Sequence, residues 1–305
     1  MIANNRIADN RPNKLGESPI WNYFNNKLYW VDIEGYQIKS LDGHFTGQGK
    51  GETFQTEKKP TSLSLIDGTK MFVSMEDSLG IYDFRMNQYH IQKKLEDKNV
   101  RFNDGKCDKD GILHIGTMSL NNTQNACIYK YQNNELIKIK DNLGIANGIA
   151  FEKQIGDQKT MYFCDSKNKL LWRREQQEDT IINRFDSPAD FARSEVTPDG
   201  GTVDLFYAYY SCMWGGYGIN VYMDDVWAPN YRQVGAPMKI NRFIKLPCKY
   251  TTCCCFGGQD LDLLFVTSAY NNSSDNGRLL VLDQDSQDTL NHVVGRGIKE
   301  EPIKL

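Results

Sequence analysis

The chain of 305 residues is predicted to be an all-β, six-bladed β-propeller of four-stranded antiparallel blades. Three observations predict it. First, one theme occurs six times: an alternating apolar-aromatic strand, a short polar turn, then a second alternating strand. Second, the phase markers Trp30, Phe72, Ile115, Tyr162, Tyr210 and Phe265 recur at intervals of 42, 43, 47, 48 and 55 residues. A period in the forties with strand-only content means radial repetition of small sheets. Third, no long segment has clean 3.6-residue periodicity, so helices should be few. A large sandwich or a pair of barrels would not repeat so evenly.

The repeats follow one another along the chain. Lys27-Leu28-Tyr29-Trp30-Val31-Asp32 leads to Ile38-Lys39-Ser40-Leu41-Asp42, and Met71-Phe72-Val73-Ser74 leads to Ile81-Tyr82-Asp83-Phe84. Leu113-His114-Ile115-Gly116 leads to Ile128-Tyr129-Lys130-Tyr131, and Met161-Tyr162-Phe163-Cys164-Asp165 to Leu170-Leu171-Trp172-Arg173. Ala208-Tyr209-Tyr210-Ser211 leads to Ile219-Asn220-Val221-Tyr222, and Leu264-Phe265-Val266-Thr267-Ser268 to Leu279-Leu280-Val281-Leu282-Asp283. A closed ring leaves little sheet edge exposed, and the N-terminal strand is expected to join the last blade. No linker divides the chain, so residues 1–305 are expected to be one domain. The gap from Tyr222 to Cys253 holds Pro229, Gly235, Pro237 and Pro247 and reads as a loop insertion around 223–240 in the fifth blade.

Composition narrows the function classes. Lys+Arg is 36 against Asp+Glu 39, a formal charge of −3, which argues against a nucleic-acid partner. No run of 18 apolar residues exists, so no membrane partner is expected. Met1-Ile2-Ala3-Asn4-Asn5-Arg6 has no apolar signal region, and a cytoplasmic location is the expectation. The 8 cysteines form no C-x-x-C pair and no zinc spacing with histidine, so they read as buried reduced thiols. The 4 histidines show no metal-ligand spacing.

Polar residues gather at four places. Arg101-Phe102-Asn103-Asp104-Gly105-Lys106 sets a guanidinium, a carboxamide, a carboxylate and an ammonium around one glycine. It reads as a polar turn feeding the strand that begins at Ile112, and an ordinary Asn-Asp-Gly turn would use the same residues. Similar hard-oxygen side chains stand in Leu15-Gly16-Glu17-Ser18-Pro19, in Ala146-Asn147-Gly148, and in Pro198-Asp199-Gly200-Gly201-Thr202-Val203-Asp204. Each of these segments precedes the main strand of its repeat. Such strands lie innermost in a propeller, so their side chains can meet at the axis.

These segments, with Leu28-Tyr29-Trp30-Val31-Asp32-Ile33, Gly116-Thr117-Met118, Cys254-Cys255-Phe256-Gly257-Gly258 and Leu264-Phe265-Val266-Thr267-Ser268, are collinear over nearly the whole chain. The ordered set resembles the senescence-marker-protein/gluconolactonase family, which includes regucalcin and luciferin-regenerating enzyme. The resemblance implies a propeller with one divalent cation in its channel. The family's metal ligands fall on Glu17, Asn147 and Asp204, and its substrate-contacting residues on Arg101 and Asn103. It implies hydrolysis of a small sugar-type lactone or related ester.

The chemistry of that set is consistent. Two carboxylates and a carboxamide oxygen make a hard site that suits Ca²⁺, the first expectation, with Mg²⁺, Mn²⁺ or Zn²⁺ compatible. Such a cation polarises a carbonyl, Asp204 is expected to assist water attack, and Arg101 and Asn103 to orient the substrate. Two departures bear on substrate. Residues 119–125 form a short uncharged loop where family members often carry an acid, and Gly218 stands where they commonly have a base. A calcium-binding regulatory protein of the regucalcin type, with little or no turnover, is the alternative. An interaction scaffold is the third reading.

Overall fold

Each repeat pairs an apolar-aromatic strand, buried on both faces, with a second strand beside it, and a computed structural model of the chain shows how the pairs assemble. It describes residues 6–42, 50–153, 159–184, 195–224, 237–270, 272, 277–283 and 295–305. Among the described residues, all regular structure is strand. Blade 1 is β2 (Gly16–Asn22), β3 (Lys27–Asp32), β4 (Gln37–Asp42) and β5 (Gly51–Gln55). Blade 2 is β6 (Pro60–Leu65), β7 (Lys70–Met75), β8 (Ser78–Asp83) and β9 (Gln88–Lys94). Blade 3 is β10 (Val100–Cys107), β11 (Leu113–Ser119), β12 (Ala126–Gln132) and β13 (Glu135–Leu143). Blade 4 is β14 (Ala146–Phe151), β15 (Thr160–Asp165), β16 (Leu170–Glu175) and β17 (Glu178–Arg184). Blade 5 is β18 (Thr197–Val203), β19 (Tyr209–Trp214), β20 (Gly218–Asp224) and β21 (Met238–Lys245). Blade 6 is β22 (Thr251–Gly257), β23 (Leu263–Ser268) and β24 (Leu279–Leu282), completed by β1 (Arg6–Asp9).

The ring closes as the sequence predicts: β1 pairs antiparallel with β24, so strands from the two ends of the chain share one sheet. The first strand of each blade packs against those of both neighbours, in the order β2, β6, β10, β14, β18, β22 and back to β2. These inner strands surround the channel. The six phase markers lie in the second strands, and none is more than 1% exposed. Trp30 also donates its indole N–H to Asn13 Oδ1 at 2.9 Å. Trp30→Ala should therefore cost about 3–5 kcal/mol through the cavity it leaves. A change below about 1.5 kcal/mol in urea unfolding would show that the blade interface relaxes around it.

Two details differ from expectation. Arg101–Lys106 is not a turn but part of β10, and Gly105 does not take positive φ. The sheet absorbs the polar residues by a bulge between Phe102 and Gly105. A comparable irregularity interrupts every inner strand, after Glu17, Pro60, Phe102, Asn147, Pro198 and Thr251. His114, placed in a strand by its alternation, is buried with its ring edge-on to Phe151 at 4.7 Å and Nε2 3.3 Å from Asp108. All eight cysteines are free and buried, as expected. Of the 223–240 insertion, residues 225–236 lie outside the described residues.

Four of the six inner strands, those of blades 1, 2, 3 and 5, end in turns capped by Asx side chains. Asn22 accepts from Phe24 N, Asp67 from Thr69 N and Lys70 N, Asp108 from Asp110 N and Ile112 N, and Asp204 from Phe206 N and Ala208 N. Segment 295–305 runs across this end of the channel. Leu205 N donates to Arg296 O, Gly297 N to Leu261 O, Ile303 N to Leu65 O and Lys304 N to Gly111 O, each at 2.8–2.9 Å. Glu300 meets Lys106 of β10 at 2.9 Å. The space between this pair and the bulges holds roughly one water molecule.

Candidate functional site

At the other end of the inner strands, four bulges bring polar side chains together. Glu17 and Asn147 are the last residues before the irregularity in blades 1 and 4. Asn103 and Asp199 are the first residues within it in blades 3 and 5. The residue after each of the first two takes positive φ, 45° at Ser18 and 66° at Gly148. A side chain at Gly148 would meet the Tyr209 hydroxyl at 2.5 Å, so glycine is required there.

Asn147 is the centre of the network. Its Nδ2 donates to Asp199 Oδ1 at 2.7 Å and to Ser166 Oγ at 2.8 Å. Its Oδ1 accepts from Asn103 Nδ2, which also donates to Ala146 O at 3.1 Å. Arg101 Nη1 donates to Asn103 Oδ1 at 2.9 Å and to Phe102 O at 2.8 Å. Asp104 Oδ2 accepts from Ile149 N at 2.9 Å and so ties β10 to β14.

The electrostatics show excess negative charge. Burial and then the Asp104 carboxylate push Glu17 up to about 8, against the pull of the Ser18 N–H and the Arg101 guanidinium. Asp199 is pushed well above the carboxylate range by burial, then by Glu17 and Asp104. Asp104 is raised by burial, although backbone N–H groups and Lys106 oppose the shift. Burial lowers the Arg101 value, while Glu34, Glu17 and Glu76 raise it. Three carboxyls in mutual range, with one guanidinium nearby, are short of positive charge.

Four of the five residues singled out in the sequence, Arg101, Asn103, Glu17 and Asn147, are at this hub, and Asp204 is not. Asp204 stands five positions beyond Asp199, roughly 15 Å along the strand. Its Oδ1 caps its own turn, its Oδ2 accepts from the Tyr210 hydroxyl at 3.1 Å, and its backbone bridges to Gly297. The residue that reaches Asn147 is Asp199. A signal for it was present in the sequence: Asn147-Gly148 and Asp199-Gly200 repeat one Asx-Gly pattern, whereas Asp204 follows the strand as Asn22, Asp67 and Asp108 do. Trp214 packs its ring against Tyr250 at 4.6 Å.

Among the described residues, no three His, Cys, Asp or Glu side chains gather in a metal-binding group. The hub set is instead two carboxylates, Glu17 and Asp199, joined by the Asn147 carboxamide. A family model described as the SMP-30/gluconolactonase/LRE-like region matches residues 15–270. The chain belongs to this family. Among its relatives, the pentonolactonase XacC of Haloferax volcanii is 27% identical over 264 residues, 84% of this chain and 82% of that protein. The regucalcin of Danio rerio is 27% identical over 266 residues, covering 85% and 84%. The family fold is seen in a calcium-binding protein, regucalcin, from Agrobacterium tumefaciens: TM-score 0.81, 22% identity, 100% of this chain and 99% of that one.

Proposed function

We propose that this member of the family is a metal-dependent hydrolase of a small hydroxylated lactone or related ester, with Glu17, Asn147 and Asp199 holding the cation. The observation that carries the reading is the hub itself: oxygen donors from three blades, short of positive charge, beside Arg101 and Asn103. The donor set fits a hard divalent cation, Ca²⁺ first, because burial and then the neighbouring carboxylates raise Glu17 and Asp199, and such an ion offsets both by favouring the charged carboxylates. Relatives named as a pentonolactonase and a 6-deoxy-6-sulfogluconolactonase support the substrate class.

When bound, the cation supplies positive charge that polarises the lactone carbonyl. Arg101 orients the substrate's oxygens through the guanidinium N–H groups that Phe102 O and Asn103 Oδ1 do not take, and Asn103, whose Nδ2 is spent on Ala146 O and Asn147 Oδ1, accepts a substrate hydroxyl on its Oδ1. Asp199, rather than Asp204, accepts the proton of the attacking water. That proton passes to the ring oxygen as the C–O bond breaks, which leaves the open hydroxy acid. Hydrolysis across a panel of sugar lactones, measured with and without chelator, is the test. Chelation should remove most of the turnover and added Ca²⁺ restore it; full turnover under chelation would overturn the reading. The regulatory alternative is favoured by the regucalcin relatives and by loop 119–125, where Asn121 and Thr123 bond within the loop. Tight Ca²⁺ binding without hydrolysis of any lactone would select it.

The raised carboxyls give a pH dependence of stability. A folded-state value above the unfolded one means that the folded protein binds the proton more tightly. That stabilisation is complete below the unfolded values of 3.8 for Asp204 and 4.5 for Glu17, and is lost as pH rises through about 6 and about 8. With chelator present, the thermal midpoint should fall between pH 5 and pH 8. Saturating Ca²⁺ should remove the part of the fall that comes from Glu17 and Asp199. An unchanged midpoint across that range would show that the hub carboxyls are already compensated.

A further inference from the structure

The six blades are six copies of one register, so a residue present in only some of them can be read against the others. The position that pairs with the residue just before each hub residue of the Glu17 type is Asp32 in blade 1 and Asp165 in blade 4. Blades 2, 3, 5 and 6 carry Glu76, Met118, Trp214 and Ala269 there. Both aspartates are buried, at 2% and 0% exposure. Each grips the backbone that leads into its own inner strand. Asp32 accepts from Lys14 N at 3.1 Å and Leu15 N at 3.0 Å. Asp165 accepts from Gly144 N at 2.8 Å and Ile145 N at 3.1 Å.

The surroundings repeat as well. Leu15 O accepts from Ile33 N, and Ile145 O from Ser166 N. Leu15 bridges to Ala269 of the preceding blade, and Ile145 to Met118 of its own preceding blade. Lys14 O and Gly144 O accept from Tyr270 N and Ser119 N. Two residues beyond Leu15 and Ile145 stand Glu17 and Asn147. Among the described residues, the same device therefore occurs on two opposite blades, and on those two alone, each time directly upstream of a hub oxygen donor. Each is held further: Lys39 Nζ lies 3.5 Å from Asp32, and Asn168 Nδ2 donates to Asp165 at 2.6 Å.

We propose that Asp32 and Asp165 are positioning residues that fix the entry backbone of β2 and β14, and so the reach of Glu17 and Asn147 into the hub. The proposal rests on the reading of the hub as a cation site. A carboxylate is needed because each must accept several N–H groups at once; the NH₂ of an asparagine would face a donor. Loss of such support around metal ligands typically lowers affinity about 10–100-fold.

The experiment is Ca²⁺ titration calorimetry on the full chain, paired with hydrogen exchange of the metal-free protein. Asp32→Asn and Asp165→Asn should each bind Ca²⁺ about 10–100-fold more weakly and exchange faster over 14–17 and 144–147 respectively. Asp67→Ala, which removes a cap at the far end of blade 2, should lower the thermal midpoint and leave Ca²⁺ affinity unchanged. The milder Asn168→Ala keeps the Asp165 carboxylate and should weaken binding a few-fold, which covers the case in which an aspartate variant does not fold. Folded aspartate variants within threefold of the parent affinity would overturn the proposal. If the parent itself binds no Ca²⁺, Mg²⁺, Mn²⁺ or Zn²⁺, the cation-site reading fails instead. Exchange at 14–17 and 144–147 then decides the clamp alone, with unaltered protection in both variants rejecting it.

Discussion

Asp199→Ala is expected to lower lactone turnover by about 10³-fold or more, because it removes a hub oxygen donor and the proton acceptor together. Its neighbours should stay folded: Asn147 keeps its bonds to Ser166 and Asn103, and an uncompensated buried charge is relieved. Asp204→Ala should do the opposite. The Phe206 and Ala208 N–H groups and the Tyr210 hydroxyl lose their acceptor, at a cost of about 2 kcal/mol. Turnover per folded molecule should stay within about threefold, since mutations outside the site act mainly through the folded fraction. Asp204→Asn retains the turn-capping oxygen and should recover most of the stability. Turnover normalised to folded protein, with urea unfolding of the same samples, separates the two residues. Abolished turnover in a folded Asp204→Ala protein, with Asp199→Ala active, would sink the assignment of the hub.

Deleting residues 296–305 is expected to lower the thermal midpoint by on the order of 10 °C. Four backbone hydrogen bonds to blades 2, 3, 5 and 6 go with the segment. So does Ile303, which is 7% exposed and packs with Phe72, Phe102 and Leu113. Removal of Glu300 strands Lys106 on the channel wall, where the pair's side chains are each only 16% exposed. Breaking one partner of a buried pair costs about 3 kcal/mol, because the remaining charge is left without compensation. Glu300→Ala alone should therefore account for a large part of the loss, and Lys106→Met combined with Glu300→Ala should restore some of it. Differential scanning calorimetry of the three variants is the measurement. A deletion that leaves the midpoint unchanged would mean that the ring is held by its β1–β24 closure without help from this segment.

The site was partly legible in the sequence. Glu17 and Asn147 could be assigned to innermost strands, because each precedes the apolar-aromatic strand of its repeat, whereas Arg101 and Asn103 read as a turn and lie within the innermost strand β10. Which residue of such a strand faces the axis was not legible. In a regular strand alternate residues share a face, and a bulge resets that alternation. Glu17 and Asn147 come from the position before the irregularity and Asp199 from the first position within it, a difference of phase that alternation does not carry. Asp199 and Asp204 are both acids at the two ends of one inner strand, and composition does not distinguish them. The turn that engages Asp204 does.

Blade number, blade order and the blade cores are written in the residues alone. They follow from a local property, the alternation of apolar side chains about buried aromatics, repeated at an interval too short for a larger unit. The meeting of particular oxygens belongs to the assembled ring. The hub forms between residues up to about 180 positions apart, and their convergence depends on ring closure, on bulge phase and on entry backbones clamped by Asp32 and Asp165. None of these is a property of any one segment.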